Sequence, residues 1–143
     1  RLIHPKIIFL IIGEISQKNK NLFNKYKNIK FIGEKKKLEN YIKYSICGIA
    51  NLNIATGFQN KILTYMSYGL PVISNNLSFS GIKHLKKNLH ILTYSTANQF
   101  IQKFQVFKKN KNITNKISRS SYMIIKKKFC WNKILSNYLK LFD

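Results

Sequence analysis

The strongest constraint on the fold is one unbroken apolar run, Ile7-Ile8-Phe9-Leu10-Ile11-Ile12, stopped by Gly13. Six such residues fall far short of the roughly 20 that a membrane-spanning helix needs. They suit a parallel strand covered on both faces, where β-branched residues run on without alternating. Residues 6–12 are therefore predicted to form a central strand.

The same unit then recurs along the chain. A helix is expected over residues 16–27 with Leu22, Phe23 and Tyr26 inward, then a strand over 29–32 ending at Gly33. A helix over 36–44 (Leu38, Tyr41 and Ile42 inward) leads to a strand over 46–50 and a loop over 51–58. The next helix, 59–68, stops at Gly69, a residue suited to the left-handed cap. A strand over 70–74 carries Pro71 near its start, where a missing donor costs least. There follow a polar loop over 75–81, a strand over 89–92, a helix over 96–108, a Lys/Asn connector over 109–116, and helices over 117–127 and 131–142. Short strands separated by helices imply right-handed crossovers and an α/β fold: a Rossmann-like open parallel sheet with helices on both faces. A length of 143 residues suits one domain, 1–143, with a real core. Ligands of such sheets bind outside the carboxyl ends of the strands. Those ends carry Gly13-Glu14, Gly33-Glu34, the 51–58 loop and residues 74–81, although a glycine after a strand is also ordinary turn chemistry.

Charge is the second conspicuous feature: 24 Lys and 2 Arg against 4 acids give +22. Lysines that neutralise phosphates bind nucleic acid non-specifically. However, Lys, Asn and Ile, which share A/T-rich codons, together make 63 of the 143 residues, and the lysines are spread out with runs of at most three. Arg, which makes bidentate base contacts, is nearly absent. Composition on solvated faces thus accounts for the charge better than a nucleic-acid surface does. The positive potential still attracts phosphate-bearing ligands and anionic lipid.

Several chemistries are missing. GxGxxG, GxxxxGK[ST] and GxSxG do not occur, and four acids leave little for a paired-carboxylate hydrolase. The aromatics follow core-like spacing rather than an RNA-binding motif. His4, His84 and His90 lack metal-site spacing, so no metal is expected. Cys47, inside an apolar run, reads as a buried free thiol in a reduced, cytosolic protein; pairing with Cys130 stays open. No secretory signal is visible, and an opening Arg1 in place of Met suggests a fragment or processed chain.

One segment carries chemistry, residues 56–74: Thr-Gly-Phe-Gln-Asn-Lys-Ile-Leu-Thr-Tyr-Met-Ser-Tyr-Gly-Leu-Pro-Val-Ile-Ser. A glycine loop opening onto a helix presents unpaired N–H groups and the positive end of the helix dipole. Lys61 in the first turn adds a point charge, and the whole suits a diphosphate. On physics alone, Gly57 as a turn residue and Lys61 as a solvated helix residue remain equally good readings.

The segment resembles the donor-binding, carboxy-terminal half of a GT-B glycosyltransferase of the retaining family 4 (group 1) type. Gly57-Phe58-Gln59-Asn60-Lys61-Ile62-Leu63 and Met66-Ser67-Tyr68-Gly69-Leu70-Pro71-Val72-Ile73-Ser74 match the family's stretch GF…K-(V/I)-L-E-A-M-A-x-G-x-P-V-(V/I). Ile11-Ile12-Gly13, the strand ending at Gly33, residues 41–50, Gly81 and Trp131 fit the flanking pattern in order. The resemblance implies a nucleotide-diphosphate sugar as donor substrate, with no other cofactor and no metal. It implies Thr56, Gly57, Phe58, Gln59, Asn60 and Lys61 at the donor sugar and phosphates, and Gly33, Glu34 and Thr64 at the nucleotide. The acceptor would be a glycan or a lipid-linked molecule in surface polysaccharide biosynthesis, and the protein cytoplasmic, at the inner face of an anionic membrane. The family usually has two glutamates eight positions apart, where this chain has Thr56 and Thr64. By the same resemblance the acceptor-binding domain and the donor domain's first strand would lie before Arg1. No catalytic residue is assigned. An inactive remnant serving as a basic binding module is the alternative.

Overall fold

The computed structural model describes residues 6–52, 59–80 and 82–130. The chain forms two compact units, Arg1–Asn40 and Tyr41–Asp143.

In the first unit, β1 (Phe9–Ile12) and β2 (Ile29–Gly33) pair in parallel, Phe9 opposite Ile29 and Ile11 opposite Phe31, with a register shift before Ile12 meets Gly33. The crossover helix α1 (Gln17–Phe23) starts at Ser16, whose Oγ accepts from the Asn19 N–H at 3.4 Å. Two expectations are corrected. The apolar run is not covered on both faces, for Ile8 and Leu10 are 51% and 41% exposed while Phe9 and Ile11 are half-buried. Side chains alternate across the pleat, and α1, with the Phe23 ring 6.5 Å from Phe31, has one side of the sheet to cover. The helix also ends at Phe23 rather than near residue 27, leaving Leu22 exposed; Tyr26 lies in the following turn, its N–H bonded to the Phe23 carbonyl at 2.9 Å and its ring under the Lys25 ammonium.

A short helix α2 (Glu39–Ile42) stands where a helix over 36–44 is expected, and it buries Ile42. The second unit then builds a parallel sheet in the order β3 (Gly48–Ala50), β4 (Val72–Asn75), β5 (Leu92–Tyr94), with Gly48 opposite Val72 and Ile73 opposite Leu92. Helix α3 (Asn60–Ser67) joins β3 to β4 and turns inward Ile62 and Met66, one helical turn apart. Both are fully buried with Ala50, Val72, Ile82, Leu85, Ile91 and Ile125. Burial of one such side chain is worth about 1.5–3 kcal/mol, and this cluster holds the unit together. The helix closes on Gly69 at φ +71°, the left-handed cap expected from the sequence.

The remaining elements correct three boundaries. Helix α4 (Asn76–Ser80) forms within the expected 75–81 loop, because the Asn75 side chain accepts from the Ser78 N–H at 2.9 Å and starts a helical turn. The last strand lies at Leu92–Tyr94 rather than 89–92. The Lys/Asn connector is helical: α5 (Ala97–Lys109) and α6 (Lys111–Lys128) are separated by Asn110 alone. Asn110 ends one helix through its N–H to the Val106 carbonyl (2.9 Å) and starts the next by accepting from the Ile113 N–H (3.0 Å). Ile117, Ser121 and Ile125 are the buried stripe of α6. Trp131 and the helix expected over 131–142 lie outside the described residues. No described helix is long and apolar enough to cross a membrane. Cys47 and Cys130 are free thiols.

Candidate functional site

In the second unit the carboxyl ends of β3 and β4 point the same way, and the chain leaves β3 at Asn51 and Leu52. Asn75, the last residue of β4, holds that exit. Its Nδ2 donates to the Leu52 carbonyl at 2.6 Å, and its Oδ1 receives the Ser78 N–H at 2.9 Å and the Leu52 N–H at the outer limit of 3.5 Å. One amide thus ties the exit of β3, the end of β4 and the start of α4 together. Sequence reasoning passed over Asn75 as part of a polar loop. The available signal was an Asn directly after a strand, a residue type that bonds neighbouring backbone.

Thr56, Gly57 and Phe58 lie outside the described residues. The chain resumes at Gln59, the N-cap of α3, which is buried and makes no side-chain capping bond. Asn60 and Lys61 follow in the first turn with exposed side chains. Backbone N–H groups of a first turn have no acceptor within their helix, and the dipole is positive there. The first turn contains no acidic residue. Thr64 stands half-buried three residues after Lys61, on the same side of the helix. The Ile62 N–H bonds the Gln59 carbonyl at 3.0 Å, and a cation beside the positive end of a helix dipole is an arrangement that suits an anion.

Gly33 and Glu34 belong to the first unit. Gly33 closes β2 at φ +74°, its carbonyl accepting from the Gly13 N–H at 2.9 Å, and Glu34 follows with an exposed side chain. The predicted nucleotide residues Gly33 and Glu34 and the predicted phosphate residues Asn60 and Lys61 are thus carried by different units.

Burial pushes the Cys47 thiol up to about 12, so the reactive thiolate is scarce. His90 is held below its ordinary value by burial first and by the Lys86 charge second, and its Nδ1 accepts from the Lys86 backbone N–H at 2.9 Å. Among the described residues no three His, Cys, Asp or Glu side chains gather where they could hold a metal ion.

Parallel strands with helical crossovers, and loops gathered at the strands' carboxyl ends, define a Rossmann-like α/β fold. Within that class the sequence profile of "Glycosyl transferases group 1" matches residues 1–107, and the chain belongs to that family. No curated protein matches the chain. Among solved structures, Anabaena HepE in complex with UDP is similar at TM-score 0.80 and 11% identity, covering 97% of this chain and 41% of HepE. A glycosyltransferase from Rickettsia africae ESF-5 is similar at TM-score 0.76 and 18% identity, covering 95% of this chain and 39% of that one. The C-terminal domain of LpcC, a glycosyl transferase group 1 protein of Francisella tularensis, is similar at TM-score 0.69 and 15% identity, covering 90% and 72%. HepE and LpcC are GT-B glycosyltransferases. The chain spans about two fifths of the length of the HepE and Rickettsia structures.

Proposed function

We propose that this chain is the donor-binding half of a retaining glycosyltransferase. It takes a nucleotide-diphosphate sugar as donor, and the complete enzyme passes the sugar to a glycan or lipid-linked acceptor. The observation that carries this reading is the start of α3: exposed Asn60 and Lys61 on an acid-free first turn, after the loop that leaves β3. The HepE structure with UDP supports the nucleotide part by likeness of fold.

In this reading the first-turn N–H groups and the Lys61 ammonium face the diphosphate. Negative charge grows on that group as the sugar leaves, so the same groups lower the barrier electrostatically. Thr56, Gly57, Phe58 and Gln59 lie toward the sugar and Thr64 toward the ribose. Amides and lysine carry the neutralisation without a metal ion. The lysine-rich surface suits work beside an anionic membrane on its cytoplasmic side, in polysaccharide biosynthesis. Calorimetric titration with UDP, GDP and their sugar conjugates tests the donor site: saturable binding is expected, and no binding of any of them at millimolar concentration refutes it.

A second reading, an inactive remnant that binds partners through its basic surface, is favoured by Thr56 and Thr64 standing where the family usually has glutamates. The Thr64→Glu variant described below separates the two.

A further inference from the structure

A concavity lies at the other end of α3, where Ser67 is about 9 Å along the helix axis from Lys61. Its volume is about 600 Å³, and its walls include Ser67 and Tyr68 at the end of α3 and Asn115, Ser118, Arg119 and Tyr122 of α6. The four α6 residues are spaced i, i+3, i+4, i+7, so they form one stripe along the helix. That stripe is distinct from the buried one, Ile117, Ser121 and Ile125, which packs into the core. It also departs from the rest of the helix surface. Lys111, Lys116, Lys126, Lys127 and Lys128 are exposed on α6, yet none of them is among the described residues that line the concavity.

Its cation is instead Arg119, the only arginine among the described residues of a chain with 24 lysines. The Arg119 side chain is exposed and has no hydrogen bond or ion pair among the described residues; nor has the Asn115 amide one turn before it. Two aromatic rings complete the wall. Tyr68 is 46% exposed, and Tyr122 is half-buried with the Lys126 ammonium 4.7 Å from its ring centroid. A guanidinium offers a planar fork that matches a carboxylate in two parallel bonds, which an ammonium does not. Tyrosine offers an apolar face together with a hydroxyl, and pyranose rings present C–H faces bordered by hydroxyls. Ser67, Ser118 and Asn115 supply further neutral donors and acceptors.

We propose that this concavity binds a carboxylate-bearing sugar residue of a glycan: the carboxylate on the Arg119 fork, the ring between Tyr68 and Tyr122, and the hydroxyls toward Asn115 and the two serines. The site is separate from the start of α3 and does not depend on the donor reading.

The test uses the 143-residue chain labelled with ¹⁵N and titrated with trigalacturonate, with maltotriose and acetate as neutral-sugar and simple-anion controls. Saturable shifts of the Arg119 side-chain resonance and of the Tyr68 and Tyr122 rings are expected with trigalacturonate alone. Arg119→Lys keeps the charge and removes the fork, so it is expected to weaken that binding about tenfold or more while leaving circular dichroism and UDP affinity unchanged. Three results would each overturn the proposal: no saturable binding of trigalacturonate at millimolar concentration, equal binding by Arg119→Lys, or an acetate response at Arg119 as strong as the trigalacturonate response. The UDP titration is read separately, so failure of one site is not failure of the other.

Discussion

The side-chain amide of Asn75 donates to the backbone carbonyl of Leu52 at 2.6 Å, so the last residue of β4 grips the chain just after β3 ends. Its oxygen takes the Ser78 N–H at 2.9 Å. Removing the amide in Asn75→Ala leaves part-buried backbone groups unbonded, at a cost of about 1–3 kcal/mol in urea denaturation. Asn75→Asp is the sharper variant: the ionised carboxylate keeps the acceptor for Ser78 but faces the Leu52 carbonyl with a second acceptor. Asn75→Asp is therefore expected to be less stable than wild type at neutral pH, and an Asp variant as stable as wild type would contradict the clasp.

Lys61 is exposed on the first turn of α3. Lys61→Gln should leave thermal stability within about 0.5 kcal/mol, as expected of a surface change. It should weaken UDP binding by roughly tenfold, the loss of one charge-assisted contact to phosphate. Equal UDP affinity in the two proteins removes Lys61 from the phosphate site.

Thr64 follows Lys61 by three residues on the same helix face. A carboxylate there accepts two hydroxyl bonds where threonine offers a shorter neutral group. Thr64→Glu should therefore tighten UDP binding by about tenfold or more, since hydrogen bonds to charged groups are worth about 1.5–3 kcal/mol. If neither wild type nor Thr64→Glu binds a nucleotide or nucleotide sugar, the inactive-remnant reading holds instead.

Gly48 begins β3 beneath the Tyr65 ring, and a Cβ at that position would overlap three atoms of the ring. Gly48→Ala should cost about 1–3 kcal/mol through overpacking. The penalty should shrink when Tyr65 is shortened to Leu, with a coupling of about 0.5–3 kcal/mol for residues in contact. Denaturation curves of the two single variants and the double variant measure it, and strict additivity would show that the ring is not the obstacle.

His90 must stay neutral at Nδ1 to accept the Lys86 N–H, and burial and the Lys86 charge both hold its pKa below the ordinary 6.5. The unfolded chain therefore binds the proton more readily, and stability falls as pH drops below about 6.5, levelling off beneath the folded-state value. His90→Asn keeps an acceptor and removes the titration, so its stability should depend less on pH between about 7 and 5 than wild type does. Parallel denaturation series of the two proteins check the slope.

The second unit was largely legible from residues 59–74. Ile62 and Met66 at helical spacing, Gly69 as a stop, and the apolar run through Val72 and Ile73 give α3, its cap and β4 within one or two residues. Those signals are local, because each depends on a side chain and its neighbours within one turn or one strand. Lys61 stands out the same way, by its place in the first turn, whereas Thr64 stands out only through the family resemblance. Less legible was anything set by a single side-chain bond. Asn110, in a row of Asn and Lys, and Asn75, in a polar stretch after a strand, look like loop residues, and they act as helix starters because their side chains meet particular N–H groups.

Strand and helix alternation and the absence of a membrane-length apolar run follow from the order of residues alone. Burial does not. Ile8 and Leu10 have the same chemistry as the buried Ile73 and Ile91, yet they lie on the uncovered side of β1. In the first unit α1 covers one face, whereas α3 and α6 close over the β3–β4–β5 core. Which apolar run becomes a core depends on how many elements pack against it. The concavity at Arg119 arises likewise, from where α6 happens to cross the end of α3. Packing between segments some fifty residues apart along the chain decides both, and no local pattern of residues encodes it.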